Sequence, residues 1–234
     1  MVSFNLKDKS ILIIGVYDKL SKIIAGSIIE SGADVTLIGS DKVLLAENFV
    51  DIEERQILEF DITDCSSIES RLKSDLPGDL KFDGIVFCNT RSDFRPLSFV
   101  NHDNLASIMN DNYFSFVEFM RVLFKMKKIN TNACVVVLSS ISSIRAMKAK
   151  MAFCSSKAAL DAAVKCLAVE FSNKKIRINS IQKGEVDVDF EKTNIQDVVS
   201  IRAENSTKSF LGISSANEIS NIVMFLLSDA TQTL

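Results

Sequence analysis

Histidine is almost absent from this sequence: among 234 residues only His102 is one, in the polar stretch NHDN. That excludes a histidine-rich metal site and leaves any Ser-His-Asp arrangement resting on one loop residue. Proline is nearly as scarce, with Pro77 and Pro96 alone, so no proline-rich linker divides the chain. No apolar run approaches the roughly 18 residues that cross a bilayer. The opening MVSFNLKDKS lacks an apolar stretch of signal-peptide length behind a basic start, so a cytoplasmic protein without a membrane partner is expected. A basic excess is missing too. The formal net charge of −3 gives no electrostatic case for a nucleic-acid partner, and the short basic stretches KMKK (125–128) and RAMKAK (145–150) read as solvated helix ends and loops. The five cysteines, Cys65, Cys88, Cys134, Cys154 and Cys166, show no C-x-x-C spacing. They fit buried reduced thiols better than disulfides or metal ligands, and no metal is expected.

What is present is a regular alternation. Hydrophobic residues make up 47% of the chain and charged residues 24%, as in an ordinary globular protein. SILIIGV (10–16) is a continuous apolar run, as expected of a strand buried on both faces, and the following 20–33 places Ile23, Ile24, Ile28 and Ile29 on one helical stripe. Strand-length runs recur at 34–39, 56–62, 83–88, 133–140 and 176–181, with helical candidates at 103–128 and 152–173. Strands separated by helices read as right-handed β-α-β units, so the fold expected over residues 1–234 is a single doubly wound α/β domain of Rossmann type. Ligands of such folds bind beyond the carboxyl ends of the strands. The stretches that matter are therefore GVYDKLS, GSDK, DITD, CNTR, SSISS and QKGEVDV.

At those places the chain resembles the short-chain dehydrogenase/reductase family over essentially its whole length. FCSSKAAL stands where the family has Y-x-x-x-K, VVLSS supplies Ser140 at the serine position, and NDNYFSF supplies Asn112 at the helix-borne asparagine. DGIVFCNTR occupies the place of the D-x-L-V-N-N-A-G strand, FDITD is similar to the adenine-contacting segment, and RINSIQKGEVDVD is similar to R-V-N-x-I-x-P-G-x-V-x-T. SANEISNIVMFLLSDAT (215–231) is similar to the closing helix; the sequence stops at SDATQTL, where the family continues through T-G-x-x-x-x-V-D-G-G. The resemblance implies an NAD(P) cofactor, with contacts at Gly15, Lys19, Ser40, Asp61, Ile62, Asn89, Lys157, Gly184 and Val186. It also implies a catalytic set at Asn112, Ser140, Phe153 and Lys157. In the family the tyrosine donates a proton to the carbonyl oxygen under hydride attack, the lysine lowers its pKa, the serine binds the substrate oxygen and the asparagine keeps a relay water.

Here Phe153 holds the tyrosine position, and a phenyl ring has no O–H to donate. General acid–base assistance is typically worth about 10²- to 10⁴-fold. Of the two tyrosines, Tyr17 and Tyr113, the latter points about 100° away from Asn112 on the same helix and reads as a packing residue. In T-G-x-x-x-G-x-G the glycines let the backbone approach a pyrophosphate; this chain keeps Gly15 but has Lys19 and Ser21 at the later positions. Both are expected to add bulk where phosphate sits, which counts against cofactor binding. LIGSD shows neither the acid nor the arginine that would choose between NAD and NADP. Each retained residue also has a plainer explanation: Ser140 as a strand-end cap, Lys157 as a solvated helix residue, Asn112 as a helix kink.

The expected function is a catalytically degenerate family member serving as a binding or partner subunit. The alternative is an NAD(P)-dependent oxidoreductase of a carbonyl or secondary alcohol, and a more remote one is an activity that reuses the pocket without hydride transfer. In the family two long helices build the dimer, so the resemblance implies a homodimer or heterodimer through 103–128 and 152–173. The polar segment 189–210 is expected to form the lid.

Overall fold

The structure, a computed structural model, describes residues 4–50, 52–53, 56–190 and 211–234. Six strands, β1 Ser10–Ile14, β2 Asp34–Gly39, β3 Ile57–Glu59, β4 Phe82–Phe87, β5 Ile129–Ser140 and β6 Arg177–Lys183, form one sheet in the order β3-β2-β1-β4-β5-β6. Every neighbouring pair is parallel. The strand order reverses between β1 and β4, which opens the crevice a doubly wound sheet offers to ligands.

The apolar runs become strands because both faces of the sheet are covered. Ile11 and Ile13 of β1 enter one core with Ile24 and Ile28 of helix α1 (Lys19–Glu30) and Ile219 and Val223 of helix α7 (Ala216–Leu227). Leu12 and Ile14 enter the other, with Leu72 of α3 (Ile68–Asp75), Phe116 and Phe119 of α5 (Ser115–Lys125), and Leu160 and Val164 of α6 (Met151–Glu170). The same alternation runs through β4 and β5, with Val86 and Val136 on the first face and Ile85, Phe87, Val135 and Val137 on the second. This is the doubly wound α/β arrangement expected from the alternating runs.

Several local expectations need correction. The helix expected at 103–128 is α4 (His102–Met109), one π-turn (Asn110–Phe114) and α5. His102 accordingly opens a helix capped by Asn101 and is not a loop residue. The helices α2 (Lys42–Asn48) and α3 have no counterpart among the expected ones, being short and, in α3, apolar only at Ile68 and Leu72. Lys128 in KMKK is not solvated: it is 3% exposed, and its ammonium donates to the carbonyls of Pro77 and Gly78. Only Cys88 and Cys134 are buried thiols; Cys65 and Cys154 are half-buried and Cys166 is exposed, all of them free. Residues 191–210, nearly all of the expected lid, lie outside the described residues.

The turn after β1 depends on glycine. Gly15 has φ +84°, and a Cβ there would lie 2.8–2.9 Å from the backbone and Cβ of Asn89. Gly15→Ala is therefore expected to cost about 2 kcal/mol or more of stability, read from urea unfolding; a variant as stable as the parent would contradict this close approach.

Candidate active site

The turn that follows β1 folds back on itself. Asp18 caps α1: its carboxylate accepts from the Ser21 amide at 2.7 Å, while the Ser21 hydroxyl accepts from the amides of Tyr17 and Asp18, each at 3.1 Å. The sequence pattern allows this because an aspartate at the cap and a short hydroxyl three residues later complete a reciprocal capping box. Ser21 is 1% exposed. Its side chain therefore does not project toward the ligand crevice, contrary to the expectation of added bulk; Lys19 is exposed. Tyr17 keeps 37% of its surface in solvent, yet burial of its hydroxyl end and the Asp61 and Asp111 carboxylates hold the phenol above its usual range.

Across the crevice, helix α6 delivers Phe153 and Lys157 from successive turns. Lys157 is fully buried, and its ammonium donates to the Leu138 carbonyl of β5 at 3.2 Å. The plainer reading of Lys157 as a solvated residue is therefore wrong. Asn112 in the π-turn is also fully buried. Its side-chain oxygen accepts from the Arg91 amide at 2.8 Å, and its amide donates to the Arg91 carbonyl and the Ser156 hydroxyl, both at 2.9 Å. Every polar atom of that side chain is thus engaged with the loop after β4 and with α6. Ser140 ends β5 and accepts from the Ser142 amide at 3.1 Å, so it does cap the short 3₁₀ turn Ile141–Ser143.

Phe153 is 7% exposed. The Lys150 ammonium lies 5.4 Å from its ring centroid and 5.8 Å from that of Phe94, a cation held between two aromatic rings. The remaining expected residues are spread along the same sheet edge. Asn89 is buried and donates to the Asp111 carbonyl at 2.6 Å. Asp61 is exposed, its carboxylate accepting from the Thr63 amide and hydroxyl at 2.8 Å, and Ile62 beneath it is fully buried. Ser40 and Gly184 are exposed. Val186 is fully buried and bridges to Ser214.

Electrostatics single out Lys157. Burial pushes its ammonium from 10.5 down to about 7; Lys183 adds repulsion, while Asp161 and Cys88 act in the opposite direction. Cys88 at the end of β4 is held well above its ordinary value, chiefly by burial. Asp111 is raised, first by burial, and Arg91 at 3.1 Å partly offsets this. Three participants carry no signal in the sequence. Ser156, Asp161 and Gln182 have no motif of their own, although Asp161 stands one helical turn after Lys157 and on the same face. A cavity of about 1050 Å³ lies at the opposite, amino-terminal end of the strands, lined among others by Asp8, Lys9, Asp83 and Arg177.

A parallel sheet ordered 3-2-1-4-5-6, with a buried lysine, a serine and an asparagine at its carboxyl edge, defines a protein of the dinucleotide-fold class. Residues 15–234 match the family model described as enoyl-(acyl carrier protein) reductase, and the chain belongs to the short-chain dehydrogenase/reductase family. It is similar to the L-xylulose reductase of Caenorhabditis elegans, 34% identical over 95 residues, covering 41% of this chain and 38% of that one. It is similar to the fatty acyl-CoA reductase of Acinetobacter baylyi, 30% identical over 183 residues, covering 76% of this chain and 62% of that one. In both cases the match spans less than two thirds of the relative's length. Among solved structures, the FabI–NADH complex from Alistipes finegoldii superposes with a TM-score of 0.82 at 21% identity, covering 98% of this chain and 84% of that one.

The lowered Lys157 value makes a pH prediction. The folded-state value lies below the unfolded one, so between about 7 and 10.5 the unfolded chain binds more protons and stability rises with pH. Between pH 7 and 8, below the ordinary thiol value of about 8.5, Lys157 should contribute a gain of about 1 kcal/mol, read as the difference between parent and Lys157→Met in urea unfolding. Lys157→Met should flatten that rise, and a slope shared by parent and variant would assign it to another group.

Proposed function

We propose that this short-chain dehydrogenase/reductase is catalytically degenerate and acts as a binding or partner subunit. The observation that carries the reading is Phe153: it stands four residues before Lys157, buried and without a hydroxyl, with an ammonium over its ring. Neither phenol of the chain takes over the role. Tyr17 belongs to the β1–α1 turn, and Tyr113 sits in the π-turn with its ring 5.3 Å from that of Phe114.

The turn at α1 supports the same reading, because it fits a dinucleotide pyrophosphate poorly. The amides of Tyr17, Asp18 and Ser21 already have acceptors within the turn, and one of these is a carboxylate. A phosphate at this helix terminus meets the Asp18 charge; like charges about 4 Å apart repel by roughly 1 kcal/mol in water and about 4 kcal/mol near a protein surface. For that reason no hydride transfer is assigned to these residues. A second reading has its own support: the buried Lys157, with Ser140 and Asn112 beside the same crevice and relatives whose names are reductases, favours an NAD(P)-dependent oxidoreductase of a carbonyl or secondary alcohol.

The partner surface proposed is the one built by α4, α5 and α6. The outer side of α6 presents Met151, Ser155, Ala158, Ala162, Cys166 and Val169 to solvent, and Phe114 is 47% exposed beside it. Such a stripe of apolar and small residues suits close helix packing against a second copy or an active relative.

Nucleotide binding tests the functional reading. Titration with NADH and NADPH, followed by nucleotide fluorescence, should give no micromolar affinity, and a carbonyl panel should show no reduction. Asp18→Asn, which keeps the cap and removes the charge, should tighten nucleotide binding by about tenfold. Micromolar binding by the parent together with carbonyl reduction would overturn the proposal in favour of the oxidoreductase; reduction gained only in Phe153→Tyr would locate the defect at the missing hydroxyl. Sedimentation at micromolar concentration should show two chains per particle, and a monomer there would remove the partner surface.

A further inference from the structure

Three polar groups near the carboxyl end of β5 are buried yet under-satisfied, and they share one face of the sheet. The Lys157 ammonium has three hydrogens and one acceptor, the Leu138 carbonyl. Asp161, 6% exposed, has one oxygen on the Gln182 amide at 2.8 Å and Oδ1 without a hydrogen-bond partner. Ser139, 2% exposed, has a hydroxyl without one.

Register places them together. Val135 and Val137 of β5 face the core that holds Leu160 and Val164 of α6, so Ser139, two residues on, faces α6 as well. Ser139 pairs with Gln182 of β6, and the Gln182 amide reaches both Asp161 and the Ser143 hydroxyl, the latter at 3.1 Å. Lys157 and Asp161 are one turn apart on α6, where side chains four residues apart are neighbours. Two idle donors and an idle acceptor, each costly to bury unpaired, thus converge between β5 and α6, with a hydroxyl that can serve as either. The charged and titratable groups whose charge acts on Lys157 are Lys183 from β6, Asp161 from its own helix and Cys88 just after β4.

We propose that Ser139, Lys157 and Asp161 enclose a small polar binding site that takes an ordered water, which bridges the Lys157 ammonium, Asp161 Oδ1 and the Ser139 hydroxyl. The water makes three hydrogen bonds, the number typical of a buried water. Asp161 is thereby a positioning residue for Lys157, and Gln182 ties it to the turn that carries Ser140 and Ser143. This rests on the reading of Lys157 as the surviving site lysine, but it requires neither nucleotide nor hydride transfer.

Two measurements on the intact chain decide it, both independent of nucleotide and substrate. The Lys157 titration is followed by NMR of ¹⁵Nζ-lysine; Asp161→Asn should move its midpoint down by about one pH unit or more. Ser139→Ala should weaken the folding equilibrium by about tenfold or more, because it takes a partner from the bridging water. Ser220→Ala is the control: its buried hydroxyl on α7 also has no partner, and its loss should be neutral or stabilising. An unmoved Lys157 midpoint in Asp161→Asn overturns the proposal. So does a Ser139→Ala variant no less stable than the parent, and that arm holds should Asp161→Asn fail to fold. Failure here leaves the nucleotide-binding result untouched, and failure there leaves this one untouched.

Discussion

The burial of one ammonium group governs the architecture of this sheet edge. Transferring an isolated charge into a protein interior costs several kcal/mol even after relaxation, and Lys157 has no solvent contact at all. Its environment answers that cost in two ways. The proton is held loosely, with the ionisation midpoint near neutrality, and the remaining charge is received by the Leu138 carbonyl with Asp161 one turn away. Neither arrangement survives if α6 slides along β5. The helix register is therefore bound to the lysine as well as to the apolar contacts of Leu160 and Val164.

From that helix a hydrogen-bonded series runs back across the crevice. The Ser156 hydroxyl accepts from Asn112 and donates to the Phe153 carbonyl at 2.8 Å. Asn112 grips the Arg91 backbone, and Asn89 reaches the Asp111 carbonyl. Asn89 in turn is the residue against which Gly15 must lack a side chain. The π-turn at Asn110–Phe114 belongs to this series, since one extra residue per turn brings Asn112 inward without ending the helix. Glycine, both asparagines and the helix α6 are thus mutually required for structure. Their presence together does not by itself report chemistry.

The sheet is largely legible in the sequence because its strands are buried on both faces and read as unbroken apolar runs; 34–39 coincides with β2, and the others differ by a few residues at their ends. The long helices are legible through their spacing. What the sequence hides is decided by contacts between distant segments. Lys128 looks solvated in KMKK but is drawn inward by two carbonyls some 50 positions away. Ser21 looks obstructive by comparison with glycine, yet its hydroxyl turns inward to cap the turn. Asp161 and Gln182 meet only because β6 lies beside β5 and under α6. At the site, the order of residues is readable; which of their atoms are already engaged is not.

That distinction decides how the two functional readings are weighed. An active reductase of this fold needs an acid at the substrate oxygen and open amides at the first turn, and both are properties of individual atoms. Here the ring at 153 carries no oxygen, and the amides of Tyr17, Asp18 and Ser21 point to acceptors within their own turn. The lysine, by contrast, is retained in a setting that demands it structurally, since Lys157 is buried between α6 and β5 and bonds the backbone of that strand. Retention of a residue with a structural task weighs less than loss of one whose hydroxyl has only a chemical task. On that asymmetry rests the proposal of a binding or partner role, even though the buried Lys157 stands beside the same crevice as Ser140 and Asn112.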